Sequence, residues 1–394
     1  MSDLLHSKQA TNDILVQVMK THRINSHLTY CMLALAAIVA GSLLAIFTLH
    51  HQNPRTSQAR PQLPIPSLKS LASDRGLQIG SFASLKYLNE KSYSDILSSQ
   101  FEYAIVDGEP NWRFEDFTLR PTPDTFDFNH LDQVMNFAEQ NNMPVRIQHL
   151  VWGDEKWLPE WLTGQVHTEA ELREIIKNHI DTVARRYIGK VREYSVVNEA
   201  FSRELKIGGN EDWWAKQLGR SYIDLAFLEA KKIDPHAVLI LNDFGDETIG
   251  DVSNNMYDYV KDARSRGIPI EGIGMQMHID GSNPPAKDKV VENMRRFADL
   301  GLKIYVTEFD VNMHEFKGST KERENKQAEV YHDMLGACLE VGTNVCPNFG
   351  FLGLIDRQSW YNGIGIHDAY PLMFHDDYTP KPAFYAVHEL LAKQ

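Results

Sequence analysis

Two glutamates stand at the ends of apolar runs more than a hundred residues apart. Glu199 closes Tyr194-Ser195-Val196-Val197-Asn198-Glu199, and Glu308 closes Ile304-Tyr305-Val306-Thr307-Glu308 before Phe309 and Asp310. A β-branched run ending in a carboxylate reads as a buried strand that opens into a site. Glutamate is almost never buried without a partner, and each of these has escorts. Asn198 precedes Glu199 and could donate to a sugar hydroxyl, and Gln276 could hold Glu199. His278 could pair with Glu308, with Asp310 orienting the imidazole. Two carboxyl groups facing one another can cleave an acetal: one protonates the leaving oxygen while the other attacks or stabilises the sugar. Isolated glutamates at strand ends would instead read as structural ion pairs; the two sets of escorts favour chemistry.

The elements that must position these residues follow from pattern. Eight strand-like segments lie near Leu77–Ala83, Tyr103–Val106, Val145–Val151, Glu193–Val197, Val238–Asn242, Gly272–Met277, Lys303–Thr307 and Asn348–Ile355. Stretches of helical periodicity run between them, among them Ala170–Arg186, Trp213–Lys232, Val252–Arg266 and Lys321–Glu340. Strand and helix alternating in this way predict a (β/α)8 TIM barrel, α/β in class, over residues 75–394. Active sites of such barrels sit at the C-terminal strand ends. That places Trp152, Asn198, Glu199, Asn242, Asp243, Gln276, His278, Glu308, Asp310, Asp356 and Trp360 under suspicion. Of the seven tryptophans, Trp152 and Trp360 are expected to meet sugar. Trp213 and Trp214 start a helix and are expected to pack, while Trp112 is open between the two roles.

Several motifs resemble family 10 of the glycoside hydrolases, the xylanase family. They are Val-Val-Asn-Glu-Ala at 196–200, Gly-Ile-Gly-Met-Gln-Met-His at 272–278 and Val-Thr-Glu-Phe-Asp at 306–310. His149-Leu150-Val151-Trp152, Leu241-Asn242-Asp243-Phe244, Pro371-Leu372-Met373-Phe374 and Tyr378-Thr379-Pro380-Lys381-Pro382-Ala383 extend the resemblance in order over residues 75–394. It implies Glu199 as general acid/base and Glu308 as nucleophile, with His278 and Asp310 setting the charge of Glu308 and Asn198 and Gln276 supporting the acid. It also implies retention of anomeric configuration, with the carboxyl groups about 5–5.5 Å apart. Glu308 would help to raise the pKa of Glu199.

The sugar-gripping positions depart from the family's pattern. Asp107-Gly108-Glu109-Pro110-Asn111-Trp112 stands where the family carries Glu-Asn-x-x-Lys-Trp. Gln148 and Gly153 replace two histidines, with His149 a neighbouring substitute for the first, and Leu352 replaces a tryptophan. Asp107, Asn111, Gln148, His149, Trp152 and Trp360 are the expected substrate contacts. The changes point away from xylan and toward another polymer, such as an exopolysaccharide. A non-catalytic carbohydrate-binding or assembly protein, and a transglycosylase, are the alternative readings.

Composition excludes other classes. The net charge of -13 and the lack of a basic run do not suit nucleic acid. No metalloprotease or cysteine-pair spacing accompanies His278, Glu308 and Asp310, and no phosphate-cradling glycine loop appears, so neither a metal nor a cofactor is implied. Residues 28–49 carry no charge and are mostly apolar, long enough to span a bilayer and longer than the apolar core of a cleavable signal. They predict a single transmembrane anchor, an N-terminal transmembrane helix between a short tail at 1–27 and a Pro/Gln/Ser-rich spacer at 50–74. The flanking Lys/Arg counts are nearly equal, so orientation follows from the inferred polysaccharide substrate: the barrel outside the cytoplasm, periplasmic or at the cell surface. The lack of an Asn-x-Ser/Thr sequon leans toward a bacterial source. Cys338 and Cys346 read equally as a disulfide or as two buried thiols.

Overall fold

The computed structural model describes residues 63–393 apart from 115–116 and 208–210, and the side chain of Asp107 is also outside the description. The predicted tail, the anchor at 28–49 with Cys31, and the spacer as far as residue 62 lie outside the described residues. No helix among the described residues is long and apolar enough to cross a membrane.

Among the described residues, nine parallel strands form one sheet. They are β1 (Gln78–Phe82), β2 (Tyr103–Asp107), β3 (Val145–Trp152), β4 (Val191–Asn198), β5 (Val238–Asp243), β6 (Gly272–Met275), β7 (His278–Asp280), β8 (Lys303–Asn312) and β9 (Asn348–Phe351). Their order is β6-β5-β4-β3-β2-β1-β9-β8-β7, and β6 also pairs with β8, which closes the barrel. β6 lies along Lys303–Val306 and β7 along Asp310–Asn312 of the same strand β8. The strand expected at Gly272–Met277 therefore stops at Met275, and β7 resumes the same barrel position at His278. The break falls at Met277, whose φ of 56° lies in the left-handed region. The eight-position (β/α)8 barrel predicted from the alternation is the observed fold.

The strands form on short apolar runs rich in β-branched and aromatic residues, as in Val-Leu-Ile-Leu at 238–241 and Ile-Tyr-Val-Thr at 304–307. Both faces of a barrel strand are covered, so these runs need not alternate with polar residues. The helices announce themselves by their starts. Thr168 and Glu171 form a reciprocal capping box for Glu169–Arg186, and Ser319 and Glu322 do so for Thr320–Val341, each satisfying amide groups that a helix end leaves open. Glu169–Arg186 then buries Leu172, Ile176, Ile180 and Val183 along one face.

The strand expected at Lys303–Thr307 runs on to Asn312 and the one expected at Asn348–Ile355 stops at Phe351, and two helical assignments differ as well. The helix expected at Trp213–Lys232 is two, Trp213–Leu218 and Ser221–Ile233, because Gly219 turns the chain with a φ of 60°. The helix Leu68–Asp74 falls inside the stretch assigned to the spacer. It buries Leu68, Leu71 and Ala72, so the barrel unit begins earlier than residue 75.

The barrel's interior away from the site is partly polar. Arg146 on β3 is fully buried and pairs with Glu193 on β4 at 2.7 Å, and Asn348 bonds both. Tyr103 and Tyr305 lie within 5.5 Å of the guanidinium. Gly80 and Gly272 make room for those rings, since a Cβ at either would fall within 2.4 Å of a tyrosine carbon. Cys338, at the end of the long helix, is disulfide-bonded to Cys346 just before β9.

Candidate active site

Register brings the suspected residues to one end of the barrel. Trp152 on β3 aligns with Asn198 on β4, and Asn198 with Asn242 on β5. His278 on β7 aligns with Asp310 on β8. Glu199 follows β4 and adopts φ 58° and ψ 30° as it turns into the short helix Ala200–Glu204. A non-glycine residue in this conformation carries backbone strain. Here the turn is held from outside: Glu199 N–H donates to the Asn242 carbonyl at 2.9 Å. Asp243 accepts from the amides of Phe201 and Ser202 at 2.7 and 3.3 Å. Burial raises the Asp243 carboxyl to about 7, with those donors opposing and Glu199 adding to the rise.

Glu199 and Glu308 are both buried and belong to one hydrogen-bonded network. Asn242 Nδ2 donates to Glu308 Oε1 at 2.8 Å and to Asn198 Oδ1 at 2.8 Å. Gln276 Nε2 donates to Asn198 Oδ1 at 3.1 Å and to Glu199 Oε1 at 3.3 Å. Thr307 Oγ1 donates to Asn242 Oδ1 at 2.7 Å, fixing which way that amide faces. The two carboxyl groups are thus bridged by side chains whose amide orientations are mutually determined.

Glu308 collects donors. Gln148 Nε2 reaches its Oε1 at 3.0 Å, and His278 Nε2 lies 3.5 Å from its Oε2. His278 Nδ1 lies 3.2 Å from Asp310 Oδ1. Burial pushes the Glu308 carboxyl up, but the His278 hydrogen bond and charge and the Asn242 bond outweigh it, and the net direction is down. Burial would lower the His278 imidazole, yet Asp310 and Glu308 together hold it well above its ordinary value. Asp310 itself is raised by burial, against the pull of His278.

Glu199 moves the opposite way. Burial raises its pKa, Arg203 pulls it down, and Glu308 adds a further rise. Burial, rather than Glu308, is thus the main cause of the rise anticipated from sequence. Two carboxyls pushed apart in this manner divide naturally into a proton carrier and an anion. Among the described residues no group of three His, Cys, Asp or Glu side chains could hold a metal ion.

The expected sugar contacts fall into different places. Trp360 is 44% exposed, donates from Nε1 to Asp310 Oδ2 at 3.2 Å and stacks on Tyr361, offering a supported ring face at the mouth. Trp152 donates from Nε1 to Glu199 Oε2 at 3.0 Å, so it also holds the carboxyl. Gln148 keeps a buried Oε1 with no hydrogen-bond partner, and Asn111 a buried Nδ2 likewise. His149 is buried edge-on to Trp152, and burial lowers its imidazole to about 4 against the charge of Glu308. Asp107 ends β2 opposite Gln148. Trp112, open between two roles, proves to be packing: it stacks on His179 at 4.1 Å and donates to the Leu150 carbonyl. Trp213 and Trp214 are buried as expected. Gly153 is crowded by Asp212, whose Oδ1 lies 2.1 Å from where a Cβ would stand.

Sequence reasoning left the roles of Asn242 and Arg203 unassigned. Asn242 had a signal, its place at the end of β5. Arg203 had only its spacing, four residues after Glu199 on a helix too short to show periodicity.

Relatives share this framework. An endo-1,4-beta-xylanase B from Thermotoga neapolitana is 34% identical over 332 residues, covering 83% of this chain and 92% of the relative. A beta-1,4-xylanase from Dictyoglomus thermophilum is 30% identical over 82% of this chain and 91% of its own. The crystal structure of xylanase 10B from Thermotoga petrophila RKU-1 in complex with xylobiose superposes with a TM-score of 0.77 at 34% identity, covering 84% of this chain and 98% of that one. A model of the family described as Glycosyl hydrolase family 10 matches residues 67–390. With a closed eight-position barrel and paired carboxyls at its mouth, the chain is a glycoside hydrolase and belongs to glycosyl hydrolase family 10.

Proposed function

We propose that this chain is a retaining β-glycoside hydrolase that cuts a β-1,4-linked xylan-type polysaccharide by double displacement. The observation that carries the reading is the opposite displacement of two carboxyls joined through Asn242, Asn198 and Gln276, with Glu199 raised and Glu308 lowered. Glu308, ionised beside protonated His278, attacks the anomeric carbon. Glu199 gives its proton to the glycosidic oxygen as the C–O bond breaks, and the bonding pair leaves with that oxygen. A water then donates a proton to Glu199 and attacks the glycosyl–Glu308 ester, freeing the sugar with retained configuration. Asn198 accepts two bonds on its oxygen, so its N–H2 end is the part that would meet a sugar hydroxyl. Trp360 would stack on a sugar ring.

The relatives named xylanases support xylan as the substrate. Gly108, Asn111 and Leu352, where the family pattern has Asn, Lys and Trp, favour a second reading in which the gripped polymer is not xylan. Depolymerisation of mixed-linkage glucan or exopolysaccharide in preference to xylan would select it. The disulfide between Cys338 and Cys346 suits an oxidising compartment and supports a barrel outside the cytoplasm. Residues 28–49 would tether it to the membrane. A soluble fraction that retains the full-length chain after carbonate washing would sink the tether.

The mechanism is tested with Glu308→Ala and Glu199→Ala. Glu308→Ala should lose hydrolysis and regain turnover of an aryl β-xyloside when azide is added. Glu199→Ala should lose about 10²–10⁴ in rate on unactivated sugar linkages while keeping activity on dinitrophenyl glycosides. Oligosaccharide binding with no bond cleavage by the unaltered chain would instead favour a binding protein, and longer products at high acceptor concentration a transglycosylase.

A further inference from the structure

Glu199 is held unevenly. Its Oε2 accepts Arg203 Nε at 2.7 Å and Trp152 Nε1 at 3.0 Å, and Arg203 Nη2 lies 2.5 Å from the same oxygen. Its Oε1 has one longer contact, Gln276 Nε2 at 3.3 Å. An oxygen that already accepts three N–H groups has no lone pair left for a proton, and an added O–H would point a positive hydrogen at positive hydrogens. Arg203 is itself fixed from the other side by Asp154 Oδ2, 3.1 Å from Nη2. Both Arg203 and Asp154 are buried, so this ion pair is weakly screened.

We propose that Arg203 is a positioning residue for the acid/base: it fastens Glu199 by Oε2 and confines the transferable proton to Oε1. The inference rests on the acid role proposed above for Glu199. In the bond-breaking step the proton leaves Oε1 for the glycosidic oxygen, and Arg203 neutralises the carboxylate left behind in a buried site. In the second step the same oxygen takes the proton from water. A short helical turn supplies the geometry, since residues four apart lie on one helix face. From other elements, Asp243 at the end of β5 and Glu308 on β8, with His278 and Asp310 behind it, act on this carboxyl, while Asp154 after β3 and Asp212 before the helix Trp213–Leu218 act on Arg203. All the carboxylates among them favour protonation of Glu199, and Arg203 is the cation that touches it.

The test is the pH profile of kcat/KM on a β-1,4-xylo-oligosaccharide, whose leaving group needs a proton, beside a dinitrophenyl glycoside, whose leaving group does not. Arg203→Met should move the basic limb to higher pH on the oligosaccharide, and Arg203→Lys, which keeps charge without the planar fork, should fall between it and the unaltered chain. Asp154→Asn should move the limb the opposite way, and it serves as the independent variant if Arg203→Met does not fold. None of these shifts should appear with the dinitrophenyl glycoside. A basic limb unmoved in both Arg203→Met and Asp154→Asn, while Glu199→Ala still loses only the oligosaccharide activity, overturns the role of Arg203 and leaves the acid assignment standing. Full oligosaccharide activity in Glu199→Ala overturns both.

Discussion

Replacing Asn242 with alanine probes the bridge between the two carboxyls. The side chain is fully buried and makes three bonds: to Glu308 Oε1, to Asn198 Oδ1, and from Thr307 Oγ1. A bond to a charged acceptor is worth about 1.5–3 kcal/mol and a neutral one about 0.5–1.5 kcal/mol. Their sum is about 2.5–6 kcal/mol, part of which returns if water enters the space. For a domain of about 330 residues the unfolding entropy scales to about 0.7 kcal/mol/K, so Tm should fall by roughly 3–8 °C. The catalytic effect has a defined sign. Glu308 loses a donor that stabilises its anion, its pKa rises, and the acid limb of kcat/KM moves to higher pH. Differential scanning calorimetry and a pH series with an aryl β-xyloside measure the two effects separately. A Tm within 1 °C of the unaltered chain together with an unmoved acid limb would refute the argument that Asn242 joins and charges the pair.

Three further outcomes are expected. Trp360→Ala should raise KM about 2- to 12-fold, from an aromatic contact worth about 0.5–1.5 kcal/mol; Michaelis–Menten kinetics on oligosaccharides decide it. Gly153→Ala should destabilise by about 1–3 kcal/mol, because its Cβ would meet Asp212 Oδ1, and should perturb Asp212, whose carboxyl burial raises to about 6; urea titration reads the loss. Cys338→Ala with Cys346→Ala should cost about 2–3 kcal/mol by freeing a short loop in the unfolded chain, and reducing agent should then have no further effect on Tm.

Much of the site was legible because its residues sit at positions that a strand pattern marks. Glu199, Glu308, Asn198, Gln276, His278 and Asp310 all close apolar runs, and parallel register carries such residues to one end of a barrel. His278 beside Asp310 was legible for the same reason, both being strand-end residues on neighbouring strands. What escaped were partners set by tertiary approach. Trp152 had the look of a sugar platform, yet its Nε1 serves Glu199. Trp112 looked open to sugar, yet His179 and the Leu150 carbonyl take its face and its N–H. A tryptophan's neighbours are chosen by which helix packs over its strand, and no local pattern records that.

By itself the sequence determined the elements and their order, because β-branched runs, capping boxes and apolar helix faces are local properties of the chain. It also determined which carboxyl groups end strands. Only the tertiary structure decided which of them stays ionised. Glu199 and Glu308 have the same side chain, and burial raises the pKa of both. They part because His278, held by Asp310, and Asn242 converge on Glu308, while on Glu199 burial and the charge of Glu308 outweigh the pull of Arg203. Those distances come from strands closing into a barrel, and electrostatic preference in a buried site is set by distance rather than by sequence separation.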